Sequence, residues 1–351
     1  MLFAADIGAT NSRFALFSHK KLDNGDLLLT LERERWLAGA DFPSFDAALD
    51  ALFSQNDLFL PAGRSIEAAA LALAGPIVDG VCKISNLPWR IESRALVSRL
   101  GTKRLWLIND FSAQGCACLV PAVLTVKELQ AGTPDYSAPQ AVIGAGTGLG
   151  KSLLLPPLSS GSADTGKQAA LSMEYAEHSR RIPACQLERA FHSRVVASEG
   201  GHSDFPFAGS EECEFAAFVR KETGKTQIIG DMVVTGSGLG HLYAFHTGKR
   251  LPDKEATAHA LEHPEIVPWF ARFYGRACRN FVLETLSLQG LLITGGMALR
   301  LPVLEHPAFF EEFTRSAAHE RLLRQVPVKH VRSHQTGLWG TALHAILAMT
   351  R

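Results

Sequence analysis

The chain has no apolar stretch long enough to cross a bilayer, so no membrane-spanning segment is expected. It also has no charge bias. Lys plus Arg number 35, Asp plus Glu number 35, and the formal net charge is +0. That balance gives no electrostatic case for nucleic acid or an anionic membrane as a partner. Cysteine is sparse. Six cysteines in 351 residues do not form a disulfide framework, and none is spaced C-x-x-C. Cys116 and Cys118 lie in an apolar segment and read as buried thiols rather than zinc ligands. The first residues carry no basic segment and enter an apolar run directly, which predicts no secretory signal. Together these point to a reducing cytoplasm. No short-period repeat is visible. What remains is a folded chain, 46% hydrophobic, of a length that suits one large or two medium domains.

The organising stretch is Asp6-Ile7-Gly8-Ala9-Thr10-Asn11-Ser12-Arg13, set between the apolar runs Leu2–Ala5 and Phe14–Phe17. It predicts strand, tight turn, strand. Asp6 at a strand end can hold Mg²⁺ through water. Gly8 allows close backbone approach to a ligand. Thr10, Asn11 and nearby amides can donate to phosphate oxygens, and Arg13 adds a cation. An ordinary polar hairpin would read the same way.

Residues 2–36 suggest a three-stranded meander, and 44–53 a helix. The nearly all-apolar run 67–74 predicts a buried strand ending at Gly75-Pro76. A short strand at 81–85 leads to Asn86-Leu87-Pro88-Trp89, and 94–100 is helical. Leu105–Ile108 is a second buried strand, ending at Asn109-Asp110 before a helix through Cys118. Strands then helices in alternation imply a mixed sheet with helices on its faces.

A second glycine loop, Gly144-Ala145-Gly146-Thr147-Gly148-Leu149-Gly150-Lys151-Ser152, nearly fits a P-loop. A true P-loop opens a helix, and Pro156-Pro157 follows too soon for one. Leu149 stands where a dinucleotide fingerprint needs its third glycine. The expected structure is therefore again strand, glycine turn, strand. Two such loops suggest a duplicated α/β unit with a cleft between halves, gripping a polyphosphate from both sides.

Residues 159–166 read as a surface excursion, and 174–192 as helix-compatible but interrupted by Pro183. Ser198-Glu199-Gly200-Gly201-His202 is a loop able to curl under a small polar ligand, though a solvated loop is the commoner meaning of such a composition. Further on, 211–222 predicts a helix and 227–234 a strand. Thr235-Gly236-Ser237-Gly238 opens another helix, and 266–286 is the longest helical pattern. Leu291–Thr294 runs into Gly295-Gly296, which suits close approach to adenine or ribose. Helix, strand and closing helix are expected at 309–323, 326–331 and 336–349.

In this order the Asp6–Arg13 stretch, Gly75-Pro76, Asn86–Trp89, Asn109-Asp110-Phe111, Gly144–Gly150, Glu199-Gly200-Gly201-His202, Thr235–Gly238 and Gly295-Gly296 resemble bacterial ATP-dependent glucokinases almost from end to end. The glycine loops are common to the actin-like ATPase fold; Asn109-Asp110 with Glu199 and His202 is more particular to sugar kinases. The resemblance implies an α/β chain of two ribonuclease H-like domains with an interdomain cleft. The division expected is a small domain of residues 1–110 plus 336–351 and a large one of 111–335. It implies Mg-ATP and phosphorylation of glucose at its 6-hydroxyl, the first step of glycolytic glucose use. Carried over residue by residue, Asp110 is the catalytic base. Asn109, Asp110, Glu199 and His202 bind sugar, with Asp231 where the family places a second sugar-binding Glu. Asp6, Gly8, Thr10, Asn11, Arg13, Gly146, Thr147, Gly148, Gly295 and Gly296 bind nucleotide, and Asp6 holds Mg²⁺ through water. Asp110 has a second reading as a helix N-cap, and Arg13 one as the partner of a carboxylate.

Two departures bear on the substrate. Asp231 is one methylene shorter than Glu, and the segment from about 156 to 195 is longer than the pattern requires. Ser237 also replaces a Pro. The family's relatives with a Cys-rich zinc motif are not matched, so no structural zinc is expected. A kinase for another hexose, or a sugar-binding regulator without turnover, are the alternatives. Relatives suggest a homodimer, and no seam in the chain marks one.

Overall fold

The computed structural model describes residues 1–8, 11–54, 59–84, 87–157 and 178–350. In chain order the first elements are β1 (Leu2–Ile7), β2 (Asn11–Lys21), β3 (Leu27–Ala38), α1 (Phe45–Leu52) and β4 (Ala68–Leu73). Three short strands follow, β5 (Ile77–Val78), β6 (Val81–Lys83) and β7 (Arg90–Glu92), then α2 (Ser93–Leu100), β8 (Leu105–Asn109) and α3 (Asp110–Cys118). Next come β9 (Val126–Gln130), β10 (Gln140–Ala145), β11 (Leu149–Leu155), β12 (Ser179–Ile182), α4 (Ala184–His192) and β13 (Arg194–Ser198). The helices α5 (Gly209–Thr223), α6 (Gly236–Thr247), α7 (Asp253–His259) and α8 (Ile266–Thr285) precede β14 (Gly290–Thr294). The chain continues through α9 (Gly296–Arg300), α10 (Pro307–Thr314), α11 (Glu320–Gln325), β15 (Val328–Val331) and α12 (Thr336–Thr350).

The chain divides into two compact units. The first takes Met1–Thr125, Pro157–Val196 and Ser333–Arg351; the second takes Val126–Pro156 and Ala197–Arg332. The sequence placed the boundary after Asp110. Here it falls after Thr125, because α3 packs into the first unit's core. Ala117, Val120 and Val123 join Leu2, Phe17, Ile182, Leu338 and Leu343 in one buried cluster.

Each unit contributes the same device. In the first six-stranded sheet, of order β12-β3-β2-β1-β4-β8, β1 pairs antiparallel with β2 and parallel with β4, and β4 parallel with β8. In the second, of order β13-β11-β10-β14-β15-β9, β10 pairs antiparallel with β11 and parallel with β14, and β14 parallel with β15. This is the duplicated α/β plan expected from the two glycine loops. A smaller sheet joins β5, β6 and β7.

Alternation explains why β1 is apolar throughout. Phe3, Ala5 and Ile7 face one buried cluster with Leu49, Trp89 and Leu96; Leu2 and Ala4 face the other. A strand covered on both faces must be hydrophobic at every position. On one side α12 lies close against α3. A Cβ placed on Gly340 would sit 1.8 Å from the Ala113 carbonyl oxygen, so glycine sets how near the helices come.

Three expectations are corrected. Residues 227–234 form no strand; Gly230–Met232 is a 3₁₀ turn and Ile229 makes one isolated bridge to Asp204. The helix expected over 309–323 is two helices, α10 and α11. It breaks because Arg279 Nη1 takes the carbonyls of Glu312 at 3.1 Å and Arg315 at 3.0 Å, ending α10 from outside. Ser179–Ile182, directly before Pro183, is strand and not helix, and residues 174–177 lie outside the described residues. β12 adds to the edge of β3, and Arg181 Nε pairs with Asp26 Oδ2 at 2.6 Å. The excursion at 159–166 lies outside the described residues.

Candidate active site

In the first unit, strand register gathers the predicted residues. Ile7 lies beside Leu73, and Leu73 beside Asn109. The carboxyl ends of β1, β4 and β8 are therefore level, and the Gly8 turn and the Asn109-Asp110 pair share one edge of the sheet. That edge is where open α/β sheets bind ligands.

The first turn is tight: Gly8 N donates to Asn11 O at 3.1 Å. Thr10 lies outside the described residues. Asp6 and Arg13 are direct cross-strand partners. Burial raises the Asp6 carboxyl above its ordinary range, and the Arg13 charge opposes the rise. Arg13 stacks over the Trp36 ring at 3.8 Å and donates to the His334 carbonyl. Asp6 Oδ2 would lie 2.6 Å from a Cβ on Gly337, so the first turn of α12 meets the carboxylate only because residue 337 has no side chain.

The helix cap at α3 belongs to Asn109, one residue before the position the sequence suggested. Asn109 Oδ1 accepts from Phe111 N at 2.9 Å and Ser112 N at 3.2 Å. This occupies the oxygen of the amide and leaves its NH₂ as the group for a ligand. Asp110 Oδ1 accepts from Phe111 N at 2.9 Å, which fixes the carboxylate's rotamer at the first turn of the helix. Both side chains are half-buried.

In the second unit, Ala145 and Leu149 pair across the β10–β11 turn, which places Gly146, Thr147 and Gly148 at its tip. Gly146 N donates to Gly148 O at 2.9 Å. The near-P-loop pattern is thus a hairpin, as the prolines require. Gly144 lies beside Thr294 of β14. Gly295, at φ 92°, would drive a Cβ to 2.5 Å from Ala145 O, so Gly295 rests on the base of the β10–β11 hairpin.

The Glu199–His202 turn lies in the same unit. Gly200–His202 is a 3₁₀ turn. Glu199 and His202 are largely exposed, with His202 Nε2 3.7 Å from Glu199 Oε2. A Cβ on Gly201 would overlap Leu149 O at 2.1 Å and Asp231 Oδ1 at 2.5 Å. Asp231 Oδ1 accepts from Leu149 N at 2.7 Å. Asp231 is therefore one tie between the β10–β11 hairpin and the Glu199–His202 turn. Lys151, set aside with the near-P-loop, is another: it is buried, and its Nζ donates to Gly200 O at 3.2 Å. The signal available in the sequence was a lysine two residues before the apolar run Leu153–Leu155 of β11, on the strand face that Leu149 also occupies.

Comparison with known proteins agrees with this geometry. The glucokinase family model matches residues 3–170 and 183–348. A glucokinase of Nostoc punctiforme is 26% identical over 98% of this chain and 98% of its own, and one of Nostoc sp. is 28% identical over the same shares. Among solved structures, a glucokinase from an Antarctic psychrotroph superposes with a TM-score of 0.70 at 26% identity, covering 99% of this chain and 98% of that one. A Balamuthia mandrillaris glucokinase in complex with glucose shares the fold, at TM-score 0.69 and 18% identity over 98% of this chain and 92% of that one. A ROK family glucokinase from Streptomyces griseus in complex with glucose and AMPPNP does so at 0.57 and 16%, over 97% of each. With the glucokinase family model matched along nearly its whole length, on two units whose sheets each carry an antiparallel hairpin, β1–β2 and β10–β11, the chain belongs to the glucokinase family.

Proposed function

We infer that the chain is an ATP-dependent glucokinase that transfers the γ-phosphoryl group of ATP to the 6-hydroxyl of glucose. The observation that supports this most is the Asn109-Asp110 pair, held level with the Gly8 turn by the register of β1, β4 and β8. Phosphoryl transfer needs positioning and charge neutralisation more than covalent help from the protein. Asp110 is the base that accepts the hydroxyl proton. Its carboxylate is pre-set by the Phe111 amide, so little reorganisation accompanies the step. The Asn109 NH₂, Glu199 and His202 bind sugar hydroxyls. The amides of the Gly8 and Gly146–Gly148 turns, with Asn11, Arg13 and Thr147, bind phosphates. Gly295 and Gly296 lie against adenosine.

The residues fit Mg²⁺. A carboxylate that burial makes costly to ionise, opposed only by the Arg13 charge, would be favoured in its charged form by a cation. Asp6 would hold it through water, and the ion would neutralise charge on the phosphate oxygens.

Asp231 favours a second reading, a kinase for another hexose. One of its carboxylate oxygens is committed to the Leu149 amide, so it offers a sugar less than a longer Glu would. A coupled ADP-release assay across a panel of hexoses tests both. Turnover fastest with glucose is expected. A different preferred hexose selects the second reading, and tight sugar binding without ADP release would mark a regulator instead.

A further inference from the structure

We propose that Lys151 is a positioning residue for hexose binding: its ammonium, beneath the Glu199–His202 turn, holds the Gly200 carbonyl and thereby sets where Glu199 and His202 stand. The proposal rests on the sugar-kinase reading above and adds to it a residue that does not itself touch sugar.

The argument begins with burial. Lys151 is 7% exposed, on a strand whose neighbouring side chains are also covered. A buried ammonium must find acceptors or the fold loses stability. Nζ donates to Gly200 O at 3.2 Å and lies 5.1 Å from the centre of the Phe281 ring on α8. Around it stand Glu284 and Cys278 on α8, and Asp231 on the 3₁₀ turn. Burial lowers the ammonium's pKa, and the nearby Glu284 and Asp231 carboxylates oppose that fall.

Contact with the loop is close along its length. A Cβ on Gly200 would lie 3.1 Å from Lys151 Cδ and 3.2 Å from Nζ, so the lysine stem packs directly under the turn. The next residue, Gly201, rests on Leu149 O and Asp231. Two consecutive backbone positions of the sugar loop are thus seated on the first residues of β11. The seat is rigid because β11 is hydrogen-bonded to β10 along its length. By contrast, Glu199 and His202 are largely exposed, so their own packing contributes little to their orientation. Their placement comes from the backbone beneath them, and Lys151 is the charged group that grips it.

The test compares the full-length wild type with Lys151→Met, which keeps the stem and removes the charge, and Lys151→Arg, which keeps the charge. Lys151→Met is expected to raise the glucose KM and glucose Kd about tenfold, the loss of one charge-assisted hydrogen bond, while the ATP KM stays within about twofold. Lys151→Arg should fall between Lys151→Met and wild type. Amide exchange at His202 and Ser203, measured without sugar, should accelerate in Lys151→Met. An unchanged glucose KM with unchanged exchange overturns the proposal. So does an equal rise in the ATP and glucose KM values, which would make Lys151 a general packing residue. Wild type that neither binds nor phosphorylates a hexose defeats the functional reading instead; the exchange arm still decides whether Lys151 holds the turn.

Discussion

The backbone amide of Leu149 donates to Asp231 Oδ1 at 2.7 Å, and this bond joins the first residue of β11 to the 3₁₀ turn Gly230–Met232. Asp231→Ala would leave that amide without its acceptor in a half-buried place. A loss of ~1–3 kcal/mol in unfolding free energy is expected, read by urea titration. Asp231→Asn keeps an acceptor oxygen and should retain most of the stability. If both variants match wild type, the tie carries no weight.

Asp110 and Asn109 should separate cleanly. If Asp110 is the base, Asp110→Asn, which leaves an oxygen to accept from Phe111 N, should abolish turnover while glucose affinity survives, by isothermal titration. Asn109→Ala removes both cap bonds at the start of α3 as well as a sugar donor. It should cost about 1 kcal/mol of stability in addition to weaker glucose binding. Near-normal turnover of Asp110→Asn would take that residue out of the base role.

The Asp6 carboxyl carries a pH consequence of opposite sign to the usual one. Burial raises its pKa above 3.8 and the Arg13 charge only partly offsets this. A carboxyl raised in the fold contributes stability that is fully present below its unfolded pKa and is lost as pH rises. At neutral pH an ionised Asp6 is therefore a burden on the free protein. Asp6→Asn should raise the thermal midpoint without ligand, yet abolish the further rise that Mg-ATP gives wild type. A lower midpoint in the variant would refute the sign.

Much of this was legible in the sequence because the signals are local. Continuous apolar runs gave β1, β4, β8 and β14, and prolines after Ser152 distinguished a hairpin from a P-loop. Of the Gly295-Gly296 pair, Gly295 stands in a close backbone approach, to the Ala145 carbonyl, whereas a Cβ on Gly296 would meet nothing within 4 Å. What failed depends on distant partners. The apolar run Ile228-Ile229 and Val233-Val234 looks like a strand, but the polar Asp231 at its centre is claimed by Leu149 and Thr235. Nothing near Arg315 announces that Arg279, on another helix, will end α10. Lys151 was misfiled for the same reason: its partner, Gly200, lies 49 residues away.

Close approach between α3 and α12 gives a stability prediction with a functional readout. Gly340→Ala would put a methyl 1.8 Å from Ala113 O, a clash of backbone that no rotamer can relieve. Since Asp110 opens α3, parting the helices should move the base. A loss of ~1–3 kcal/mol is expected, with kcat falling more than the ATP or glucose KM changes. A fully active, equally stable Gly340→Ala would show that the helices can part without disturbing the edge of the sheet.

The second unit holds an ionic network that the apolar pattern of α8 concealed. Arg276, with 3% of its side chain exposed, donates through Nε to Glu312 Oε1 at 2.8 Å and through Nη2 to Glu212 Oε1 at 3.0 Å. Arg279 adds a second bond to Glu312 Oε1 at 2.8 Å. Burial alone would raise the Glu312 carboxyl; the bonds and charges of Arg276 and Arg279 outweigh it and hold the pKa below 4.5. A carboxyl depressed in the fold contributes stability that is present above its unfolded pKa and is lost as pH falls through the folded one. Wild type should therefore lose stability on acidification below about pH 4.5, and Glu312→Gln should flatten that part of the curve. The variant should also be less stable at neutral pH by ~1–3 kcal/mol, because Arg276 and Arg279 lose a charged acceptor while Arg276 keeps Glu212. Urea midpoints across an acid-to-neutral series decide it, and a parallel pair of curves would remove Glu312 from the acid response.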